Sequence, residues 1–363
     1  MLGDMIIADA VVHGYNWTPE NFAIPASAVG ANGTAAFHRF MSGDDPSQLQ
    51  AHEFLRNWGV DELEEALFLE SPLDIVAHHG TPLWDMYKDG LADTEKGFEL
   101  RRRNPDRVLV YAAVNPFHGE KALREIEEYA ERGANAIKVY AARYQDGRTY
   151  AQPLDDPEFG FPFIQKVLDC GIRIIGTHKV IPIGPVKSGP FGMFDIPTVC
   201  TTFPEMQFEV VHAGFAFVEE TAFLSSLSNC WLNLEASASL IFRAPRRFAE
   251  FFGAFLQRGF TDRIMFGSGC TFTHPAPSIQ AILDFEMPED LVEGYGYPAM
   301  TDAIKRGVLG GNFLRLHGID EAELRLKIAD DDWSRRRAEH GIAEPWSHVR
   351  ERDSRVPTAA ALT

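Results

Sequence analysis

Ala136-Ile137-Lys138-Val139-Tyr140, then a helical stretch from Pro157 to Cys170 stopped by Gly171, then Ile172-Arg173-Ile174-Ile175-Gly176, is the segment on which the fold turns. Two short apolar runs rich in Val and Ile flank one helix. Runs of that length with no polar alternation are buried on both faces, as in parallel sheets. The glycine just past the helix supplies the left-handed residue that ends it.

The same unit recurs in both directions. Toward the N-terminus lie runs at Met5–Val12, Leu73–Ala77 and Val108–Ala113, with a helix from Gly119 to Arg132. Toward the C-terminus lie Phe208–Val211, Trp231–Leu234 and Arg263–Gly267, with a helix from Pro245 to Arg258. Eight strands with helices between them predict an α/β chain folded as a single (β/α)8 barrel. An open doubly wound sheet would carry a glycine-rich phosphate loop after its first strand, and none is present. Residues 1–318 form the barrel in this reading. An insertion from about 16 to 69 serves as a lid, and 319–363 is a helical extension with an exposed helix and a Pro/Ala-rich end.

The chain has 363 residues, 45% of them hydrophobic, and a net charge of -18. That charge disfavours nucleic acid and anionic membranes as partners. Cys170, Cys200, Cys230 and Cys270 form no C-x-x-C pair, and Cys170 and Cys230 sit in apolar contexts as buried thiols. A reducing cytoplasm is expected, since the N-terminus has no signal-peptide pattern and no stretch approaches a membrane span.

In a barrel of this kind the chemistry gathers at the carboxyl ends of the strands. The residues just past the runs are His13, His78-His79, Thr177-His178-Lys179, His212, Glu235 and Ser268-Gly269-Cys270, with His274 close behind. His13, His178 and His212 at one mouth predict a divalent metal site, because neutral imidazole is a common donor to zinc, iron and manganese. Glu235 or His274 would complete the ligand set. Lys138 reads either as a buried cation paired with an acid such as Glu235, or as a carbamylated ligand or a substrate-orienting charge.

The segments Ile7-Ala8-Asp9 through His13, Thr177-His178, Val211-His212-Ala213-Gly214 and Arg263 through Ser268 resemble the amidohydrolase superfamily, in its aminocarboxymuconate-semialdehyde-decarboxylase-like branch. The likeness spans roughly residues 5 to 317. It implies a strand-one Asp-x-His-x-His motif, whose histidines bind metal with a strand-five histidine and a strand-eight aspartate. It also implies an acid/base or second-metal role for the strand-six histidine, here His212. His13, His178 and His212 match; Val11 stands where the first histidine falls and Gly269 where the aspartate falls.

Tyr87 through Leu91, Asn115-Pro116, the His178-Lys179-x-x-Pro-x-Gly-Pro run and Phe272-Thr273-His274-Pro275 resemble a subgroup of two-subunit, two-metal oxygenases of the isobutylamine N-hydroxylase type. That resemblance implies a degenerate metal-binding subunit, holding zinc itself, beside a homologous barrel with iron or manganese in the complex; a homo-oligomer is the other expected assembly. The enzyme would be a monooxygenase acting on a small amine. A stand-alone hydrolase or decarboxylase of a small carboxylic acid or amide is the alternative, as is a non-catalytic barrel that stabilises its partner. In the first two readings His212 and Lys138 are the candidate catalytic residues.

Overall fold

Eight parallel strands hydrogen-bond in chain order: β1 (Ala8–Val12), β2 (Ile75–His79), β3 (Val108–Ala113), β4 (Ala136–Tyr140), β5 (Ile174–His178), β6 (Gln207–Val211), β7 (Cys230–Asn233) and β8 (Ile264–Met265). The computed structural model describes residues 3–43 and 48–350. The sheet closes on itself beyond β8. Ala10 N–H donates to Phe266 O at 2.9 Å, Gly269 N–H donates to Val11 O at 2.9 Å, and Val12 bridges Cys270 in parallel. Closure removes the unpaired edges that an open sheet would expose.

The ladder sets strand ends that hydropathy alone misplaces. β5 runs two residues further than its apolar run and takes in Thr177 and His178, because Val139 and Tyr140 pair with them. His78 and His79 belong to β2 for the same reason, opposite Val110 and Tyr111. β8 is shorter than the Arg263–Gly267 run, since the chain leaves β7 at Met265 and turns to β1. Asp9 anchors that turn: it accepts from Ser268 Oγ at 2.5 Å, Ser268 N–H at 3.0 Å and Val11 N–H at 3.1 Å.

Side chains alternate across each strand, so one file in two points into the barrel. Ala8, Ile75, Ala77, Tyr111, Ala136, Ile174, Trp231 and Met265 fill the lower interior as one apolar cluster. Above them Tyr111 Oη donates to Glu209 at 2.8 Å and Asn233 Nδ2 donates to Glu209 at 2.6 Å.

The expected helices form at Glu120–Glu131, Gly160–Asp169 and Pro245–Gln257, each followed by a glycine of positive φ at 133, 171 and 259. An antiparallel hairpin, Ala142–Gln145 with Arg148–Ala151, projects beyond β4. It was not expected, although Asp146-Gly147 at its tip is a strong two-residue hairpin signal. Cys230 is buried as read, whereas Cys170 is only half-buried, and all four cysteines are free thiols.

The insertion is a docked cover. Its principal helix, Ala26–Ser42, is tied at its start by Ser27 Oγ to Met86 O and near its end by His38 Nδ1 to Phe272 O at 2.5 Å. Asp89 holds the preceding loop through Asn16 Nδ2 at 2.8 Å and Asn21 Nδ2 at 2.7 Å.

The extension departs from an exposed tail. It forms two helices, Glu321–Ile328 and Asp332–His340, and Asp331 pairs with the buried Arg107. Residues beyond them dock on Glu70, which accepts from Trp346 N–H at 2.8 Å, Ser347 Oγ at 2.7 Å and His348 N–H at 2.9 Å. Backbone amides with few other partners need such an acceptor once buried. The Pro/Ala-rich end lies outside the described residues. Among the described residues no helix is long and apolar enough to cross a membrane.

Candidate active site at the barrel mouth

Strand closure brings His13, Lys138, His178, His212 and Glu235 to the carboxyl end of one barrel. All five are buried. His212 and Ala236, the residue after Glu235, both have left-handed backbone, at φ 70° and 58°. Non-glycine residues adopt that conformation at a cost of about 1–3 kcal/mol, and such strain concentrates at functional sites. Here it turns the chain sharply off β6 and β7.

The hydrogen bonds assign the protons. Ile181 O can only accept, so the His178 Nε2 lying 2.6 Å from it carries a proton. Burial, helped by His212 and Lys138, holds the His178 imidazole well below its ordinary value, so it is neutral and its Nδ1 accepts. His212 Nε2, 2.9 Å from that Nδ1, is therefore the donor. His212 Nδ1 in turn pairs with the Glu235 carboxylate. Burial works to raise the Glu235 carboxyl, but His212, His13 and Lys138 outweigh it and keep it below the usual carboxylate range. Two bare acceptors would repel at such a contact, so a proton lies between His212 Nδ1 and the Glu235 carboxylate.

His13 stands apart from this chain. Its Nδ1 donates to His79 O at 2.7 Å, its ring stacks on Tyr15, and burial depresses it to about 3. Lys138 lies in the inward file of β4, and its Nζ has no hydrogen-bond partner. Burial lowers it to about 8, against the pull of Glu209 and Glu235. It stands under the mouth, within electrostatic reach of Glu235.

His274 does not join the group. Its Nδ1 accepts from Ala276 N–H at 3.2 Å, capping the helix Pro275–Asp284, and its Nε2 faces Glu70 at 3.3 Å. Its place in the expected ligand set is corrected by that cap. Proline at the first helical position and a side-chain acceptor before it are ordinary features of a helix start. His79, read from the sequence as a strand-end residue that could line the pocket, is buried next to His13 and stacked on Tyr111 at 3.9 Å. Glu209, an acid in the middle of an apolar strand, was the available signal for the polar layer beneath.

Over these groups lies a cavity of about 660 Å³ under the Ala26–Ser42 helix. Its walls are largely apolar, with Trp17, Phe37, Ile181 and Phe272 among them, and His212 and Glu235 are its ionisable floor beside Tyr15. That volume suits a small organic molecule.

The donors do not fit a bound divalent ion as they stand. His178 and His212 spend all four ring nitrogens on Ile181, each other and Glu235. His13 Nε2 is the ring nitrogen of the three left to ligate. Among the described residues no group of three or more His, Cys, Asp or Glu side chains is placed to hold a metal.

Fold and site together define a closed eight-stranded barrel with acid–base groups at its carboxyl mouth. A family model described as amidohydrolase matches residues 54–319, and the chain belongs to that family. No curated protein sequence matches it. Among solved structures it is similar to an uncharacterised TIM-barrel protein of Bordetella bronchiseptica, at 15% identity and a TM-score of 0.60, over 86% of this chain and 99% of that one. It is also similar to 5-carboxyvanillate decarboxylase of Novosphingobium aromaticivorans, complexed with manganese and a nitrobenzoic acid, at 15% identity, TM-score 0.56, over 87% and 96%. A third is 2,6-dihydroxybenzoate decarboxylase from Rhizobium, at 14% identity, TM-score 0.51, over 86% and 99%. At these identities the likeness speaks for the fold.

Proposed function

We propose that this chain is a decarboxylase of a small aromatic carboxylic acid. The observation that carries the proposal is the apolar cavity whose floor is the His212–Glu235 pair. The decarboxylase names among its structural neighbours support the substrate class.

Apolar walls strip water from a bound carboxylate, while the transition state spreads its charge into the ring. The proton held between His212 and Glu235 offers the balancing positive charge. The proton shared by His212 Nδ1 and Glu235 adds to the ring carbon that bears the carboxylate. The bond to the carboxyl carbon then breaks, its electron pair restores the ring, and carbon dioxide leaves. Water returns the proton. Lys138 positions the pair by favouring ionised Glu235.

Two other readings are less well supported. Hydrolysis needs an activated water, and the strand-eight aspartate that the resemblance implies as a ligand of the activating metal is Gly269 here. A subunit of an N-hydroxylase-type oxygenase finds no counterpart among the reported neighbours.

The test is incubation with a panel of hydroxybenzoates, reading carbon dioxide release and the decarboxylated phenol. Release should be lost in His212→Ala. A panel in which no acid raises the melting temperature, while neutral amides or amines of the same size do, would refute the assignment.

A further inference from the structure

The family position for a ligating strand-eight aspartate is Gly269. A side chain begun there would place its Cβ 2.0 Å from Glu235 Oε1 and 2.9 Å from Glu235 Cδ. The space is therefore already filled by a carboxyl group from just beyond β7. The other vacated position, Val11, is fully buried and offers no donor. The two losses have a common outcome: the carboxylate at the mouth now belongs to a residue engaged with His212.

We propose that Glu235 replaces the metal centre of the family rather than repairing it. Glu235, in ion-pair contact with His212, and His212, hydrogen-bonded to His178, form a relay that holds a proton at the cavity floor, and the site works without a divalent ion. The relay has a fixed direction. Ile181 O anchors the His178 Nε2–H, His178 Nδ1 receives the His212 Nε2–H, and His212 Nδ1 faces Glu235, in ion-pair contact with its carboxylate and 3.4 Å from its backbone carbonyl. A metal at His178 or His212 would have to displace one of these bonds and compete with a proton for the same nitrogen. Such a site suits reactions that need a proton delivered to carbon and no metal-activated water. The inference rests on the acid pocket proposed above, and the experiment separates the two.

Full-length protein would be stripped on chelating resin and dialysed into chelator-free buffer. Uptake of Mn²⁺ and Zn²⁺ would be measured by equilibrium dialysis with elemental analysis, in the wild type and His178→Ala. Melting-temperature shifts with 2,6-dihydroxybenzoate would be measured with and without added Mn²⁺. Uptake well below one equivalent and unchanged by His178→Ala, with a shift by the acid that needs no metal, is the expected result. A stoichiometric ion lost in His178→Ala overturns the relay. So does a shift that appears only with Mn²⁺, although the acid pocket then survives. Neither metal nor acid binding would leave the metal-independent site standing and remove the substrate assignment. A second variant, Glu235→Ala/Gly269→Asp, frees the space for the family aspartate and should bind Mn²⁺ more tightly than the wild type. Should that variant not fold, the wild-type and His178→Ala measurements decide alone.

Discussion

Gly269→Ala is the perturbation that most directly probes whether Glu235 fills the strand-eight position. Two costs separate cleanly. Gly269 has φ 66°, where a side chain costs roughly 1–2 kcal/mol whatever surrounds it. The new Cβ would also fall 2.0 Å from Glu235 Oε1, far inside contact distance. The carboxylate must move, and a buried partner moved off its ion pair costs about 3–5 kcal/mol when the other charge is left alone. Part of that is recovered if Glu235 swings to a new position, so the expected total is about 3–6 kcal/mol. In a Glu235→Ala background the clash is gone and roughly 1–2 kcal/mol remains. The coupling between the two sites is then at least about 2 kcal/mol, well above what distant sites show. Urea unfolding of the four proteins, followed by circular dichroism and tryptophan fluorescence with coincident transitions, measures it. Costs for Gly269→Ala that agree within about 0.5 kcal/mol in the two backgrounds would refute the reasoning.

Other outcomes follow from neighbouring features. A Cβ at Gly33 on the cover helix meets nothing within 4 Å, and the residue lines the cavity. Gly33→Ala should therefore stabilise by about 1 kcal/mol through helix propensity, while Gly33→Leu should weaken binding of the larger acids first, read by melting shifts across the panel. Glu70→Ala strands the buried amides of Trp346 and His348. It should cost about 2–4 kcal/mol and open residues 341–350 to limited proteolysis; unchanged cleavage would count against the docked tail. Acid should destabilise the fold steeply. Burial depresses His78 and His317 to about 3 from an ordinary 6.5, so the unfolded chain binds more protons below pH 6.5. Their contribution is present above that pH and is lost as pH falls toward 3, at about 1.4 kcal/mol per unit for each. Asp9, pushed up to about 7 by burial, is protonated in the fold and offsets one of them between pH 4 and 7. His13, His79 and His178 steepen the loss, so a stability flat from pH 6.5 to 4.5 would contradict their burial.

The barrel was legible in the amino-acid sequence because its cause is local and repeated. Apolar runs such as Val108–Ala113 and Ala136–Tyr140 can only be strands covered on both faces, and the glycines at 133, 171 and 259 end the helices between them. The histidines at 13, 178 and 212 were legible for the same reason, since strand ends share one mouth. What they do there was not legible. Whether an imidazole ligates, caps or relays depends on which groups its nitrogens meet once the chain has turned at the mouth: Ile181 O, three residues on, accepts from His178, the Glu235 carboxylate from beyond β7 pairs with His212, and Ala276 N–H donates to His274. Glycine at 269 reads in sequence as a missing ligand. Tertiary structure decided that it is a space taken by Glu235, because only closure of the barrel brings the chain beyond β7 and the chain beyond β8 to the same point, 2.0 Å apart once a Cβ is placed at Gly269.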